Sequence, residues 1–330
     1  MTALDARPAH VGATAGFEAK VLRRRRVAVD VAEFTIEAVD HGQLPSWEAG
    51  AHLDVVLKDG TVRQYSLCGD PEDRHSYRIA VLHQPAGRGG SARIHDLLEE
   101  GSQVTIRGPR NHFPVEPAGR YVFVAGGIGI TPLLPMITRI ERLGVPWSLH
   151  YGGRSRCSMA YLDELEQLDA GRGRVTVVPF NECGTVIDLD AALTGAESTT
   201  AIYCCGPEPL LAAAEQRCAA RGLRLRTERF APRDPDDDTA EPTAFTVRMA
   251  STGKEVEVPA DRSIADVLYD ANIDVLTSCE EGTCGTCETG IVEGAPEHRD
   301  SVLTDEERAA GDRLMICVSR SRSPTLVLDL

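Results

Sequence analysis

The chain has 330 residues, 42% of them apolar, enough for two or three domains with cores of their own and too apolar for wholesale disorder. Its net charge of −15 is concentrated late: residues 244–330 hold 17 acidic against 8 basic side chains, and residues 233–243 hold 5 against 1, leaving −2 for the first 232. That distribution argues against nucleic acid or an anionic membrane as a partner, since both call for basic patches, and no run approaches the roughly 20 uninterrupted apolar residues of a membrane-spanning helix.

Residues 1–16 are small and polar and lack the apolar stretch of a secretory signal, so they read as a disordered leader, with the cytoplasm as the expected compartment. From Phe17 to about Val115 the sequence is a series of short alternating stretches (EFTIEAV, HLDVVLKDG, VRQYSLCG, SYRIAVLH, SQVTIRG), with Asp59-Gly60 as a turn signal. Strands at this density predict an antiparallel β-barrel, interrupted by one helical patch, SARIHDLLEE. Within it, Arg63-Gln64-Tyr65-Ser66-Leu67 combines a guanidinium able to grip phosphate, a ring able to pack on a ring, and a hydroxyl; alone, such a pentapeptide is also what an ordinary strand looks like. Gly87-Arg88-Gly89-Gly90-Ser91 precedes the helical patch, and glycine N–H groups at a helix start form a phosphate cradle.

At Tyr121 the pattern changes. YVFVA is a wholly apolar short strand, GGIGIT a glycine turn, and PLLPMITRIERLG a helix with Pro132 in its first turn. SLHYGG, RVTVVPF, AIYCCGP and LRLRTERF follow as strands with helical stretches between them, which predicts an α/β unit with a parallel sheet over 116–232. A glycine turn between an apolar strand and a helix suits a pyrophosphate. Gly126-Gly127-Ile128-Gly129-Ile130-Thr131 is not the G-x-G-x-x-G fingerprint, and taken alone it is equally a tight strand-to-helix turn.

Residues 233–243, rich in Asp and Pro, read as an acidic linker. The last block, 244–330, opens with two alternating strands and a helix (SIADVLYDAN) and ends on the apolar strand TLVLDL. Between them Cys279, Cys284 and Cys287 form C-x4-C-x2-C, with 29 residues separating Cys287 from Cys317. This is the plant-type [2Fe–2S] spacing, and Gly282 and Gly285 allow the chain to wrap tightly. Structural zinc prefers paired C-x2-C knuckles, of which only one is present, and buried unliganded thiols are the remaining alternative. The other six cysteines are scattered, and most read as small buried hydrophobes rather than disulfides. Glu280, Glu281 and Glu288 read as exposed acids near the loop.

The order of RQYSL, GGIGITP, Cys205-Gly206-Pro207 and Glu228-Arg229-Phe230 resembles the ferredoxin–NADP reductase superfamily. The succession of flavin, nicotinamide and ferredoxin blocks over residues 17–330 resembles the phthalate dioxygenase reductase family, in which the vanillate demethylase reductase subunits look most alike. The resemblance implies an FMN-binding β-barrel (17–115), an NAD-binding α/β domain (116–232) and a β-grasp ferredoxin domain (244–330). It implies FMN contacts from Arg63, Tyr65, Ser66, Leu67, Gly89, Gly90 and Ser91. Pyrophosphate contacts would come from Gly126, Gly127, Gly129 and Thr131, and an adenosine ribose contact from Arg154. Cys205, Gly206 and Pro207 would lie beside the nicotinamide, and Phe230 over the flavin. Ser66, Cys205, Glu228 and Phe230 would then stand at the reacting atoms, and Cys279, Cys284, Cys287 and Cys317 would hold the iron. The implied activity is an NADH-dependent oxidoreductase that passes single electrons to a terminal oxygenase, Rieske type first and cytochrome P450 second, the acidic ferredoxin surface serving as its docking face. Arg154, Ser155 and Arg156 could also serve a 2′-phosphate, although the resemblance favours NADH. A non-catalytic iron–sulfur protein is the alternative from another class.

Overall fold

A computed structural model describes residues 16–58, 62–85, 89–233 and 242–330. The expected leader, the Asp59-Gly60 turn, Gly87-Arg88 and most of the acidic linker lie outside the described residues. Among the described residues no helix is long and apolar enough to cross a membrane.

The first unit contains β1 (Phe17–Ala28), β2 (Val31–Ala38), β3 (His52–Val56), β4 (Val62–Ser66), β5 (Tyr77–Leu82), helix α1 (Gly90–Leu97) and β6 (Gln103–Arg110). The strands form one antiparallel sheet in the order β4-β3-β6-β1-β2-β5, and a bridge from Leu67 to Ile79 joins its two ends into a barrel. Alternation decides what fills it: Phe34, Ile36, Leu53, Val55, Ile79 and Ile106 point inward and are fully buried.

The second unit contains β7 (Arg120–Gly126), α2 (Ile130–Arg142), β8 (Trp147–Gly153), α3 (Leu162–Asp169), β9 (Val175–Pro179), the short α4 (Phe180–Cys183) and α5 (Leu189–Ala192), β10 (Thr200–Cys205), α6 (Glu208–Ala220) and β11 (Arg224–Glu228). All strands are parallel, ordered β11-β10-β7-β8-β9. The central strands β7 and β10 are buried on both faces, which explains their unbroken apolar runs. The order reverses between β7 and β10. A crevice opens at the carboxyl ends of strands at such a point, and those ends here are Gly126 and Cys205.

The third unit contains β12 (Phe245–Met249), β13 (Glu255–Val258), α7 (Ile264–Asp270), β14 (Glu288–Glu293), β15 (Pro296–Glu297), α8 (Asp305–Ala310), β16 (Arg313–Met315), β17 (Arg320–Ser321) and β18 (Thr325–Leu328). Its mixed sheet runs β13-β12-β18-β14-β16, with β12 and β18 parallel, and β15 and β17 form a separate ribbon. Ser263 caps α7 through the Asp266 N–H, and Ile264 and Leu268 pack into the same core as Cys287, Met315, Ile316 and Cys317. The cysteine loop is therefore anchored at its far end in apolar packing.

Phe123 is fully buried in β7, against Tyr121 and Tyr203 with ring centroids 6.0 and 5.8 Å away. Phe123→Ala is expected to lower the stability of the α/β unit by about 3–5 kcal/mol. Urea denaturation followed by Trp147 emission in a Trp47→Phe background checks this, because Trp147 shares the Phe123 core and Trp47 sits in the barrel; a loss under 1 kcal/mol would count against the packing described.

Candidate functional site

The barrel brings Arg63 and the start of α1 together. A side chain at Gly90 would overlap the Arg63 guanidinium, so the cation lies directly on the helix start. Gly89, at φ +80°, precedes the helix without any side-chain cap, leaving the first N–H groups for a ligand, and Ser91 Oγ accepts from the Gln84 N–H at 3.0 Å. A cation over uncapped N–H groups fits a flavin phosphate. Leu67 is fully buried in the barrel and Tyr65 packs at the rim of its core.

Ser66 stands where the first two units meet. Its hydroxyl donates to Glu228 Oε2 at 3.2 Å, from the end of β4 to the end of β11. Burial pushes the Glu228 carboxyl from 4.5 up to about 8, with the Ser66 hydrogen bond opposing, so it holds its proton at neutral pH. The neighbouring Cys205 is fully buried, and burial raises its thiol well above the usual range. Phe230, 48% exposed, has no core to fill and borders a cleft of about 690 Å³ together with Gly126, Gly127, Gly129, Arg154, Gly206 and Pro207.

Two of the glycines in that turn have a structural reason beyond ligand approach. A side chain at Gly129 would run into the Cys205 carbonyl, and one at Gly126 would press on Pro207, so the two loops meet backbone to backbone. Gly127, at φ +55° with no atom near its missing side chain, faces open space. Thr131 is buried, and its hydroxyl donates to the Ile128 carbonyl at 2.9 Å, so it holds the turn. Arg154 is exposed on the cleft, whereas Arg156 is engaged by Glu182 at 3.1 Å. A 2′-phosphate would have to compete with that carboxylate for Arg156, which fits a cofactor with a free 2′-hydroxyl.

None of the ten cysteines is disulfide-bonded, and Cys157 and Cys183 are exposed while Cys68, Cys204 and Cys218 are buried. Cys287 and Cys317 have their sulfurs 3.2 Å apart, and the Cys284 thiol donates to Thr286 Oγ1 at 3.2 Å. The backbone N–H groups of Glu281 and Thr283 donate to Cys279 Sγ at 3.3 and 3.4 Å, an arrangement made for a thiolate. Among the described residues no three metal-ligating side chains close on one ion. Two thiols for each of two irons suits this donor set better than one tetrahedral zinc. Gly282 and Gly285 both have positive φ.

The sequence reading of the acids needs correction: only Glu280 is exposed, whereas Glu281 and Glu288 are half-buried and Glu288 lies 3.7 Å from Arg313. His112 lies against the loop at Gly285. His52 went unnoticed; it is buried and donates from Nε2 to the Cys284 carbonyl at 3.2 Å. Burial lowers its pKa to about 3, so it is neutral.

Glu228 predicts a pH dependence. Unfolded, the carboxyl ionises near 4.5; folded, it keeps its proton to about 8. Between these values the native state binds the extra proton, so stability falls as pH rises, by up to about 1.4 kcal/mol per unit, and this contribution changes no further above 8. Glu228→Gln removes the effect. Denaturant titrations of both proteins from pH 5 to 8 in saturating FMN should therefore show the wild type losing ground to the variant, and parallel profiles would exclude a protonated Glu228.

Comparison with known proteins bears on the whole chain. Residues 247–322 match the 2Fe-2S iron-sulfur cluster binding domain and residues 123–216 the oxidoreductase NAD-binding domain. The chain is 43% identical to phenoxybenzoate dioxygenase subunit beta of Ectopseudomonas oleovorans over 92% of its length and 94% of that protein. It is 40% identical to vanillate O-demethylase oxidoreductase of Pseudomonas putida over 95% and 99%. Among solved structures, that of phthalate dioxygenase reductase, described as modular for electron transfer from pyridine nucleotides to [2Fe–2S], superposes with a TM-score of 0.68 at 37% identity, over 96% of this chain and 98% of that one. An intact type IV self-sufficient cytochrome P450 monooxygenase superposes with a TM-score of 0.88 at 42% identity, over 96% of this chain; the chain spans only 41% of that longer protein. An antiparallel barrel, a parallel α/β unit and a ferredoxin unit in this order, with end-to-end identity near 40%, mean that the chain belongs to the phthalate dioxygenase reductase family.

Proposed function

We propose that the chain is the NADH-dependent reductase component of a Rieske-type oxygenase system, with 17–115, 116–232 and 244–330 as its FMN, NAD and ferredoxin domains. The observation that carries the reading is the meeting of Ser66, on the same strand that carries Arg63 to the helix start, with Glu228, which pairs with Cys205 and lies two residues before the Phe230 that borders the cleft.

When bound, FMN would supply the conversion between the two electrons that NADH releases together and the single electrons that [2Fe–2S] accepts. The protein supplies the placement. Arg63, Gly89, Gly90 and Ser91 hold the flavin phosphate, Tyr65 lines the ring site while Leu67 fills the barrel core, and Ser66 offers its hydroxyl to the ring edge. Gly126, Gly127 and Gly129 let the pyrophosphate approach the start of α2, Thr131 fixes that turn, and Arg154 meets the adenosine ribose. Cys205, Gly206 and Pro207 bound the nicotinamide side of the cleft. Phe230 would shield the flavin ring, a role in keeping with an exposed aromatic ring that borders a largely apolar cleft. Protonated Glu228 keeps net charge away from the reacting atoms. Cys279, Cys284, Cys287 and Cys317 hold the cluster.

A second acceptor deserves its own test because the chain is similar throughout its length to part of a self-sufficient cytochrome P450. Mixing the reduced protein with a Rieske oxygenase and with a P450, and measuring the rate at which each is reduced, distinguishes the two. Faster reduction of the P450 would replace the first reading.

Cys284→Ser is expected to remove most of the visible absorption of the cluster, and with it cytochrome c reduction, while NADH still reduces the flavin. Normal iron and sulfide content in that variant would refute the ligand assignment. The excess of acid over residues 244–330 and the exposed Glu280 favour docking through the ferredoxin domain onto a basic face. Turnover with the oxygenase should accordingly fall as salt shortens the Debye length below about 8 Å, with little change in hydride transfer. Acceptor turnover that ignores ionic strength, or a parallel loss in both steps, would count against that docking face.

A further inference from the structure

A polar network that none of the cofactor motifs uses ties the cysteine loop to the flavin barrel. Asp54 of β3 is fully buried, and Arg110 of β6 pairs with it at 2.5 Å. Its carboxylate also accepts from Gln64 Nε2 at 3.1 Å and from Ser278 Oγ at 2.8 Å. The same Gln64 amide donates to Ser278 Oγ at 2.8 Å, so the hydroxyl both gives and receives. Ser278 directly precedes Cys279, and Gln64 stands between Arg63 and Tyr65 of the flavin motif. On the same face of β3, two residues from Asp54, His52 reaches the carbonyl of Cys284.

We propose that Asp54, through Gln64 and Ser278, is a positioning residue for electron transfer: it locks the cluster loop to the strand that carries the flavin motif and thereby fixes the gap the electron crosses. This rests on the reductase reading above. The lock has a direction. Arg110 neutralises Asp54 from within the barrel, so the carboxylate stays in place as a preformed acceptor, and the loop docks onto it with the Ser278 hydroxyl. Undocking would exchange both Ser278 bonds for bonds to water, which makes the net strength modest and open to change by a single substitution.

Ser278→Ala removes both bonds and leaves the Asp54–Arg110 pair intact, so the barrel keeps its fold. In stopped-flow mixing of the holoprotein with NADH, flavin bleaching should proceed at the wild-type rate, while the following reduction of the cluster slows about tenfold, the equilibrium shift expected for losing a hydrogen bond to a charged group. Hydrogen exchange of the amides around 278–287 should quicken in the same variant, a readout independent of turnover. The cluster's midpoint potential should be unchanged, and Ser278→Thr, which keeps the hydroxyl, should restore both rates. Cluster reduction at the wild-type rate in Ser278→Ala, or a slowing accompanied by a shifted potential, would overturn the positioning role. If the wild type itself fails to bind a flavin that NADH reduces, or carries no cluster, the underlying reductase reading falls with it.

Discussion

Three of the five residues of β4 each reach a different part of the molecule. Arg63 lies on the helix start that forms the phosphate cradle, Gln64 bonds to Ser278 in the cysteine loop, and Ser66 bonds to Glu228 in the α/β unit. A strand makes this possible because successive side chains leave on opposite faces while its own position is fixed by the ladder to β3. On the proposed reading, both electron-transfer gaps, nicotinamide to flavin and flavin to cluster, would be set by one short piece of backbone. A shift of that strand would disturb both gaps at once, and the fully buried Leu53 and Val55 on the neighbouring β3 resist it.

The joint between barrel and α/β unit is built differently from the joint to the ferredoxin unit. Arg78 binds Glu164 through both guanidinium nitrogens, at 2.9 and 3.0 Å, and stacks over the Tyr161 ring, while Arg25, held within the barrel by the buried Glu33, also reaches Glu164 at 3.3 Å. Cys68 contacts the Tyr161 hydroxyl at 3.3 Å, and the Val29 N–H donates to the Cys157 carbonyl at 2.7 Å. Glu164 holds two guanidinium groups at once, so separation would break several charge-assisted contacts together. The ferredoxin unit meets the rest through neutral or already neutralised groups: a serine hydroxyl, an amide, a neutral imidazole, and the Arg233 N–H on Ser301 Oγ. Hydride transfer demands near-contact geometry, whereas an electron tolerates a gap, and the two joints are strong and modest in that order.

Much of the site was legible in the sequence because its chemistry is local. Phosphate, pyrophosphate and cluster binding each need several groups within a few residues, and glycine or cysteine spacing records that need. The fold classes followed from periodicity, with β7 and β10 betrayed by apolar runs that only a sheet covered on both faces can bury. What escaped was long-range. His52 and Asp54 occupy the face of β3 opposite Leu53 and Val55, which in a lone barrel would be the solvent face, so HLDVV reads as an ordinary half-buried strand. Their partners lie 232 and 224 residues away, and no local pattern announces that another unit covers them. Glu281 and Glu288 misled for the same reason: a charged residue in a loop reads as exposed until the loop is seen folded on itself.

The same logic explains why the glycines of the nicotinamide turn are harder to read than the cysteines. Four cysteines at plant-type spacing have few other uses. Glycine, by contrast, serves any tight place, and here it serves two kinds. Gly126 and Gly129 are needed so that the turn can lie against Cys205, Gly206 and Pro207, a requirement of the protein with itself; Gly127 alone faces open space at positive φ, a requirement that points toward a ligand. The two requirements are coupled. Because the turn and the Cys205 loop touch backbone to backbone at the point where the strand order reverses, whatever binds the turn is delivered to the edge of Cys205 and Glu228. On the proposed reading, the cofactor's pyrophosphate would be held at one end of that contact and its reactive ring presented at the other, so the same missing side chains would serve both the steric demand of the fold and the positional demand of hydride transfer.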